Sequence, residues 1–349
     1  MTKTLTIALD AMGGDVGPEV VLPGASMARD RFPEARFLLF GDEEHVSRVL
    51  GSLPKLTDRA EVRHCPSIVS NDERPSVALR TGRESSMWRA IEAVRAGEAD
   101  GVVSAGNTGA MMAIAKFVLR TPRGVDRPAI ASFIPTMRGE SVMLDLGANI
   151  QCDAGNLVQF GVMGAIFAHA VLGIEEPTVG LLNVGAEELK GNETVKAAAG
   201  RLRDLEGPFV FHGFIEGDDI PAGTTDVVAT DGFSGNVALK TAEGTSKLYA
   251  TFLRETFKSS RMAGLAYLLA RGSLTRLRRR LDPRRYNGAV FVGLNGIVVK
   301  SHGGTDAFGF SNAVGMAVDM ARHGFMNEIR EVLERIDAGH SDSSSAAVV

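Results

Sequence analysis

Short apolar runs that break into glycine-rich polar turns recur along this chain, and a helix-like stretch follows each turn. Leu5 to Leu9 breaks into Asp10-Ala-Met-Gly-Gly-Asp15, and Gly101-Val-Val103 into Ser104-Ala-Gly-Asn-Thr-Gly-Ala110. Val142 to Leu146 leads to Gly147-Ala-Asn149, and Val179 to Leu182 leads to Asn183-Val-Gly185. Val227 to Thr230 ends in Asp231-Gly-Phe-Ser-Gly-Asn236, and Gly296 to Lys300 in Ser301-His-Gly-Gly304. Apolar strands alternating with helices predict an α/β fold with a mainly parallel sheet and helices on both faces. Such sheets bind ligands at the carboxyl ends of their strands. At least five of these ends carry Gly with Asn, Asp, Thr or Ser, so they are expected to converge on one sheet edge and form a site there.

Further strands are expected over Phe37–Phe40 and Glu61–His64, and further helices over Glu19–Asp30, Glu43–Leu50, Ser85–Ala96 and Leu157–Ile174. The last of these is apolar but carries Gln159 and His169, which predicts burial rather than a membrane span. A final helix runs towards Arg335. Residues 2–336 are expected to form a single α/β domain, as one unit or two lobes, and the Ser/Ala-rich tail, 337–349, to be disordered.

Composition removes some function classes. One Trp and three Tyr among 349 residues leave few stacking platforms for single-stranded nucleic acid, and no nucleic-acid partner is expected. Two cysteines, Cys65 and Cys152, cannot make a disulfide framework, which points to a reducing cytoplasm. Met1-Thr-Lys-Thr4 runs straight into a strand, so no secretory leader is expected. Neither G-x-x-x-x-G-K-[ST] nor a strand-linked G-x-G-x-x-G occurs, against P-loop chemistry and a standard NAD fold. The seven histidines form no H-x-x-x-H pair and the cysteines no C-x-x-C, so no metal and no cofactor are expected. Asp10, Asp15, Asp145 and Asp231 are read as caps of turns and helices before cation ligands.

The turns can hold an anion. Glycines let a ligand approach bare backbone, and a new helix presents free N–H groups at its positive end. Ser104, Gly106, Asn107, Thr108 and Gly109 are therefore candidates to cradle a phosphate or a developing oxyanion; tight packing is the alternative reading. Lys190, just before a helix beginning at Glu193, is either a cation matched to a bound anion or a solvated lysine paired with Glu187 or Glu188. Cys152 lacks an activating neighbour and is read as an inert thiol. His302 is a general base or a histidine fixed in a loop.

Charge is uneven. Lys258 to Arg285 holds nine basic residues against one acid, Asp282, a surplus of eight that leaves the remainder at −12 for a net charge of −4. Met262, Leu265 and Leu269, then Leu274, Leu277 and Leu281, follow helical spacing with Gly272-Ser273 between them. An amphipathic helical hairpin over 258–286 is expected, bent at that Gly-Ser pair. Its apolar and arginine faces suit an anionic membrane surface, an acidic protein helix, or a core contact with a solvated back.

Together the six turns, with Lys190-Gly-Asn192, resemble the PlsX family, the bacterial acyl-carrier-protein:phosphate acyltransferases, in order from about Thr6 to Arg322. The resemblance implies a fold related to phosphotransacetylases and isopropylmalate dehydrogenases, a homodimer, and reversible transfer of a long-chain acyl group from acyl carrier protein to inorganic phosphate. The acyl phosphate would enter phospholipid synthesis, with a membrane glycerol-3-phosphate acyltransferase as downstream partner and a peripheral, cytoplasmic seat on the membrane. It also implies Lys190 and Asn236 as catalytic residues. Asn149, Asn183, Asp231, Gly235 and His302 join the cradle as candidate substrate contacts. Leu265, Leu268, Leu269, Leu274 and Leu277, with Arg276, Arg279 and Arg280, become candidate membrane or carrier contacts. Two competing functions are an NAD- and metal-dependent hydroxyacid dehydrogenase on the same fold, and a non-enzymatic membrane scaffold that binds acyl-ACP.

Overall fold

The computed structural model describes residues 5–332, so the expected disorder of 337–349 concerns residues outside the described ones. β1 (Thr6–Asp10) leads to α1 (Pro18–Arg31), with Pro18 in the first turn, where its missing N–H is harmless. β2 (Arg36–Gly41), α2 (Glu43–Gly51), α3 (Pro54–Thr57) and β3 (Ala60–His64) follow. α4 (Pro75–Thr81) and α5 (Ser86–Arg95) precede β4 (Gly101–Ser104) and α6 (Thr108–Leu119). Ser85 caps α5 by accepting from Trp88 N–H, and Gly97 leaves the helix with a left-handed φ of 74°. Next come β5 (Ala129–Pro135), β6 (Glu140–Leu144) and α7 (Ala154–Leu172). By length and composition α7 could cross a membrane, but two thirds of its apolar window is buried in this fold, as expected of a core helix.

β7 (Thr178–Leu182), α8 (Glu193–Asp204), β8 (Val210–Ile215), α9 (Asp219–Ala222) and β9 (Val227–Ala229) continue the alternation. The chain then leaves the sheet in α10 (Gly232–Lys258) and α11 (Arg261–Arg280) and returns through β10 (Ala289–Val292) and β11 (Ile297–Lys300). α12 (Ala307–Arg322) follows. It stops at His323-Gly324, where Gly324 has φ 70°, rather than running on to Arg335; residues 325–332 are again helical.

The described strands form one sheet in the order β3-β2-β1-β4-β11-β10-β5-β6-β9-β7-β8. β3, β2, β1, β4 and β11 are parallel, as are β6, β9, β7 and β8. Between these blocks lie three antiparallel pairings, β11 with β10, β10 with β5, and β5 with β6. An odd number of reversals makes the two parallel blocks point in opposite directions. One registered row crosses the sheet from Leu9 through Val103, Val299, Val290, Ala131, Leu144 and Ala229 to Leu181. Every residue of this row is buried in one continuous core. The first block ends just past the row at Asp10, Ser104 and Lys300. The second ends at Leu144, Ala229 and Leu182, facing the other way. The expectation that all the turns converge on one edge is thus corrected: they emerge on two opposed edges.

Alternation along β1 shows how the faces are filled. Ile7 and Leu9 point into the core shared with α1, α7, α8 and α12, while Ala8 points into the one shared with α5 and α6.

The hairpin expected within 258–286 is corrected: its two supposed arms are the single helix α11, and the helical pair is α10 with α11. α11 runs unbroken through Gly272-Ser273, and the chain reverses at Ser259-Ser260, where Ser260 Oγ accepts from Ala263 N–H at 3.1 Å and caps α11. A single glycine weakens a helix by only about 1 kcal/mol, whereas a capped serine gives the new helix a defined start. Beside the bend, the Phe257 and Tyr267 rings meet edge-on at 5.5 Å. The buried residues of α10 are Gly232 and Gly235 in its first turn, and Ala238 and Leu239 pack half-buried against the core; beyond them the helix is mostly exposed.

Candidate active site

The first edge is closed upon itself. Ser104 is fully buried; its hydroxyl donates to Asp10 Oδ2 at 2.6 Å and accepts from Gly106 N–H at 3.0 Å. A Cβ on Gly13 would stand 2.8 Å from both Asp10 Oδ2 and the Gly106 nitrogen, so the two turns interlock only because glycine is there. Burial raises the Asp10 carboxyl above the usual range. Asn107 caps α6 by accepting from Ala110 N–H at 3.0 Å, and its amide donates at 2.9 Å to the carbonyls of both Asn71 and Glu73. The side-chain donors of Ser104 and Asn107 are therefore engaged by the protein itself. Pro75, 3.1 Å from where a Gly109 Cβ would lie, roofs the start of α6. Thr108 is exposed at the mouth of this edge. The backbone N–H of His302 donates to Asn287 Oδ1 and its Nδ1 accepts from Gly304 N–H at 3.2 Å, the fixed-in-a-loop arrangement.

Sequence reasoning missed Lys300 as a side chain of note. Its ammonium, buried beneath these turns, donates to the carbonyl oxygens of Ala105, at 3.2 Å, and of Ser301. Burial pulls it down to about 8 against the nearby charges of Asp10 and Asp15. The signal was present: a lysine closing the otherwise apolar strand Ile297-Val-Val299 has nowhere to go but inward.

The second edge is open. Asp145 is buried and organises the turn after β6. Its carboxylate accepts from the backbone N–H groups of Ile130 (2.8 Å), Ala148 (3.1 Å) and Asn149 (2.6 Å), and from the Asn149 amide (3.0 Å). Asn149 holds the turn with a second bond, to the Pro128 carbonyl at 2.8 Å, and its own carbonyl accepts from Gly232 N–H at 2.8 Å. The foot of α10 thereby rests on the β6 turn. Asp231 caps α10, accepting from the N–H of Ser234 at 2.9 Å and from its hydroxyl at 2.8 Å. Gly235 passes so close to the Asp145 carbonyl that a Cβ there would collide with it. In the next turn of the helix, the Asn236 amide donates to Leu146 O at 3.0 Å, lying over Gly147 (φ 124°). An amide nitrogen carries two hydrogens, so one donor of this exposed side chain is left for a guest.

From the neighbouring strand, Asn183 ties its own loop shut by donating to the carbonyls of Gly185 (3.1 Å) and Lys190 (3.2 Å). Lys190 is exposed at this loop's end and takes neither predicted acidic partner; Glu188 pairs instead with Arg203 at 3.0 Å. Cys152, below, donates to Asn149 O, and burial pushes its thiol up to about 11. No trio of His, Cys, Asp or Glu side chains gathers as a metal site among the described residues.

The structure thus brings Lys190, Asn183, Asp145, Asn149, Asp231, Gly235 and Asn236 to one edge, and Ser104, Gly106, Asn107, Thr108, Gly109 and His302 to the other. Lys300 and Asp145 sit three strands apart on opposite sides of the common row, roughly 16 Å at ~4.8 Å per strand and ~3.3 Å per residue. The hairpin candidates Leu265, Leu268, Leu269 and Leu277 are exposed on α11, Leu274 is half-buried, and Arg276 and Arg279 are exposed beyond them. Arg280 closes the same helix.

Residues 5–328 match the family described as "Fatty acid synthesis protein". A phosphate acyltransferase from Rhodospirillum centenum is 62% identical over 338 residues, covering 97% of this chain and 95% of the relative. The chain belongs to the PlsX family of phosphate acyltransferases. Another relative bearing that description, from Paramagnetospirillum magneticum, is 55% identical over 99% of both chains. Membership makes this chain an enzyme and an acyltransferase, and neither the dehydrogenase nor the scaffold reading is favoured by its relatives. The fold is similar to a phosphotransacetylase from Streptococcus pyogenes, with TM-score 0.63 and 17% identity over 91% of this chain and 94% of that one. It is also similar to the EutD phosphotransacetylase from Staphylococcus aureus, with TM-score 0.61 and 17% identity over 92% and 95%. The expected kinship with the phosphotransacetylase fold is therefore met.

Proposed function

We propose that this PlsX-family enzyme moves a long-chain fatty acyl group from acyl carrier protein to inorganic phosphate, releasing acyl phosphate for phospholipid synthesis, with Lys190 and Asn236 carrying the chemistry. The observation that supports this most is the open second edge: an exposed amide with one N–H to spare, at the foot of a helix, with an exposed lysine on the adjoining loop. Phosphate is nucleophilic at neutral pH and needs no strong base. One of its oxygens attacks the thioester carbon. The new O–C bond forms as charge collects on the carbonyl oxygen, where the Asn236 N–H and the positive end of α10 stabilise it. The C–S bond then breaks, the electron pair leaves with sulfur, and the carrier thiolate takes a proton from water. Lys190 holds the phosphate or the oxyanion. The high affinity of both thiols for their protons, at about 11, supports direct transfer without an acyl-enzyme.

The cradle Ser104–Gly109 and His302 belong to this proposal less directly, as backbone at the opposed edge. A cytoplasmic homodimer resting on an anionic membrane by the tip of α10 and α11, and handing its product to a membrane glycerol-3-phosphate acyltransferase, completes it. The exposed leucines and arginines of α11 support that placement.

The test is to incubate palmitoyl-ACP with and without phosphate and look for palmitoyl phosphate by mass spectrometry. Lys190→Ala and Asn236→Ala should each lower kcat/KM by about 100-fold or more with unchanged thermal unfolding. Thioester consumption that ignores phosphate would end the proposal; near-wild-type turnover would remove either residue from it.

A further inference from the structure

One hydrogen of the Asn236 amide is committed to Leu146 O at 3.0 Å, and in a planar amide that bond fixes the direction of the other hydrogen. The peptide that carries Leu146 O therefore aims the N–H offered to a guest. That peptide is held by Asp145, whose side chain is fully buried. Asp145 Oδ1 accepts from the N–H of Ile130 on β5 and of Ala148, and Oδ2 accepts from the backbone and side-chain N–H of Asn149. The turn Leu146–Asn149 is thus strung across the two oxygens of one carboxylate. Leu146 N–H donates back to Ile130 O at 3.0 Å, which closes a ring of bonds between β5 and the turn. The same residue meets the foot of α10. A Cβ on Gly232 would stand 2.8 Å from Asp145 Oδ2, and Asp145 N–H donates to Thr230 O at 3.0 Å, just before the helix. An ionised carboxylate offers about four acceptor sites, and these four N–H donors fill them. Nothing of the carboxylate is left over for a substrate or a metal ion.

We propose that Asp145 is a positioning residue for acyl transfer: it touches no substrate, and through the turn Leu146–Asn149 it sets the direction of the free Asn236 N–H. The inference rests on the acyltransfer proposed above. Asn149 belongs to the same device. Its amide bridges Asp145 Oδ2 at 3.0 Å and the Pro128 carbonyl at 2.8 Å, which employs both amide hydrogens in holding the turn. Replacing Asp145 by asparagine keeps the shape but turns an NH2 toward one pair of N–H groups, either those of Ile130 and Ala148 or the two of Asn149. That pair loses its acceptor, and the turn shifts to find another. The amide of Asn236 moves with the carbonyl it is bonded to, and a polarising group misplaced by about 1 Å costs roughly 100-fold in rate. The Lys190 loop follows a different strand, β7, and keeps its grip.

The test is a double-mutant cycle in the full-length protein: wild type, Asp145→Asn, Asn236→Ala and the two combined. Each turns over palmitoyl-ACP with phosphate, and circular dichroism follows folding. Asp145→Asn should lower kcat by about 100-fold while KM for either substrate stays within about threefold. In the Asn236→Ala background the same change should cost less than about threefold more, because the group it positions is gone. Asn149→Ala, which spares the carboxylate, should show the same coupling with a smaller fall, of about tenfold, and carries the test if Asp145→Asn does not fold. Losses that multiply in the combined variant overturn the proposal and leave Asp145 a purely structural residue. A fall carried by KM overturns it too, as does undiminished turnover of Asp145→Asn. If wild type makes no acyl phosphate, or Asn236→Ala turns over like wild type, the reading beneath the proposal has failed instead, and the two failures are told apart.

Discussion

Gly235→Ala tests whether the foot of α10 is as tightly seated as its geometry implies. The added methyl would collide with the Asp145 carbonyl oxygen and stand 2.9 Å from Thr230 Cγ2. The first obstacle is backbone at the end of β6, held by the four bonds to the Asp145 carboxylate, so it cannot swing aside as a flexible side chain would. Overpacking of this kind costs typically 1–3 kcal/mol, and a rigid backbone obstacle puts this case near about 3 kcal/mol. The strain is relieved only by lifting the first helical turn, and Asn236 is the next residue. A shift of about 1 Å at a polarising group lowers turnover by roughly 100-fold. Urea unfolding monitored by circular dichroism gives the first quantity, and phosphate-dependent consumption of palmitoyl-ACP the second. Gly244→Ala is the control on the same helix; with open space around the new methyl it should be neutral to about 1 kcal/mol stabilising. If Gly235→Ala matched Gly244→Ala in both assays, the close seating of the helix would have no energetic content.

Three further outcomes are expected. Below pH 8 the Lys300 ammonium is protonated in both folded and unfolded chains; between about 8 and the ordinary 10.5 only the unfolded chain holds the proton. Stability should therefore rise with pH across that window, by up to about 3 kcal/mol, relative to Lys300→Met; parallel pH profiles would refute the burial argument. At pH 8 a thiol held at about 11 is ionised in roughly one molecule in a thousand, so Cys152→Ala should keep turnover within about twofold; a loss beyond tenfold would restore a covalent intermediate. Leu268→Glu combined with Leu277→Glu should release the protein from anionic liposomes in a flotation assay without loss of soluble activity, and unchanged flotation would assign the hairpin to another contact.

Local chemistry was legible wherever one residue dictates one geometry. Asp231, read as a cap, does cap α10 because a short polar side chain reaches a free N–H group; Asn107, read as a donor to a ligand, caps α6 by the same chemistry. The strand ends were readable for the same reason. Strand direction was not. Whether β6 lies parallel or antiparallel to β1 depends on β5 and β10, and these apolar runs carry no mark of their partner or its sense. Six similar turns therefore looked like one site when they belong to two edges. The hairpin bend was misplaced because Gly272 is a louder signal than Ser260, although only the serine has a cap to make. Side-chain donors posed a related difficulty: Asn107 and Asn236 look alike as residues, yet the first is saturated by carbonyls of a distant loop and the second keeps an N–H free.

The seating of α10 at its foot has a mechanical consequence. A rigid rod of 27 residues, roughly 40 Å long, seated over Gly232–Leu239 and mostly exposed beyond, acts as a lever with very unequal arms. A tilt of about 5° carries its far end through roughly 3 Å while moving Asn236, close to the fulcrum, by a few tenths of an ångström. Whatever grips the hairpin tip can accommodate large displacements there at almost no positional change at the amide, and a change in the hairpin's length or composition leaves the fulcrum untouched.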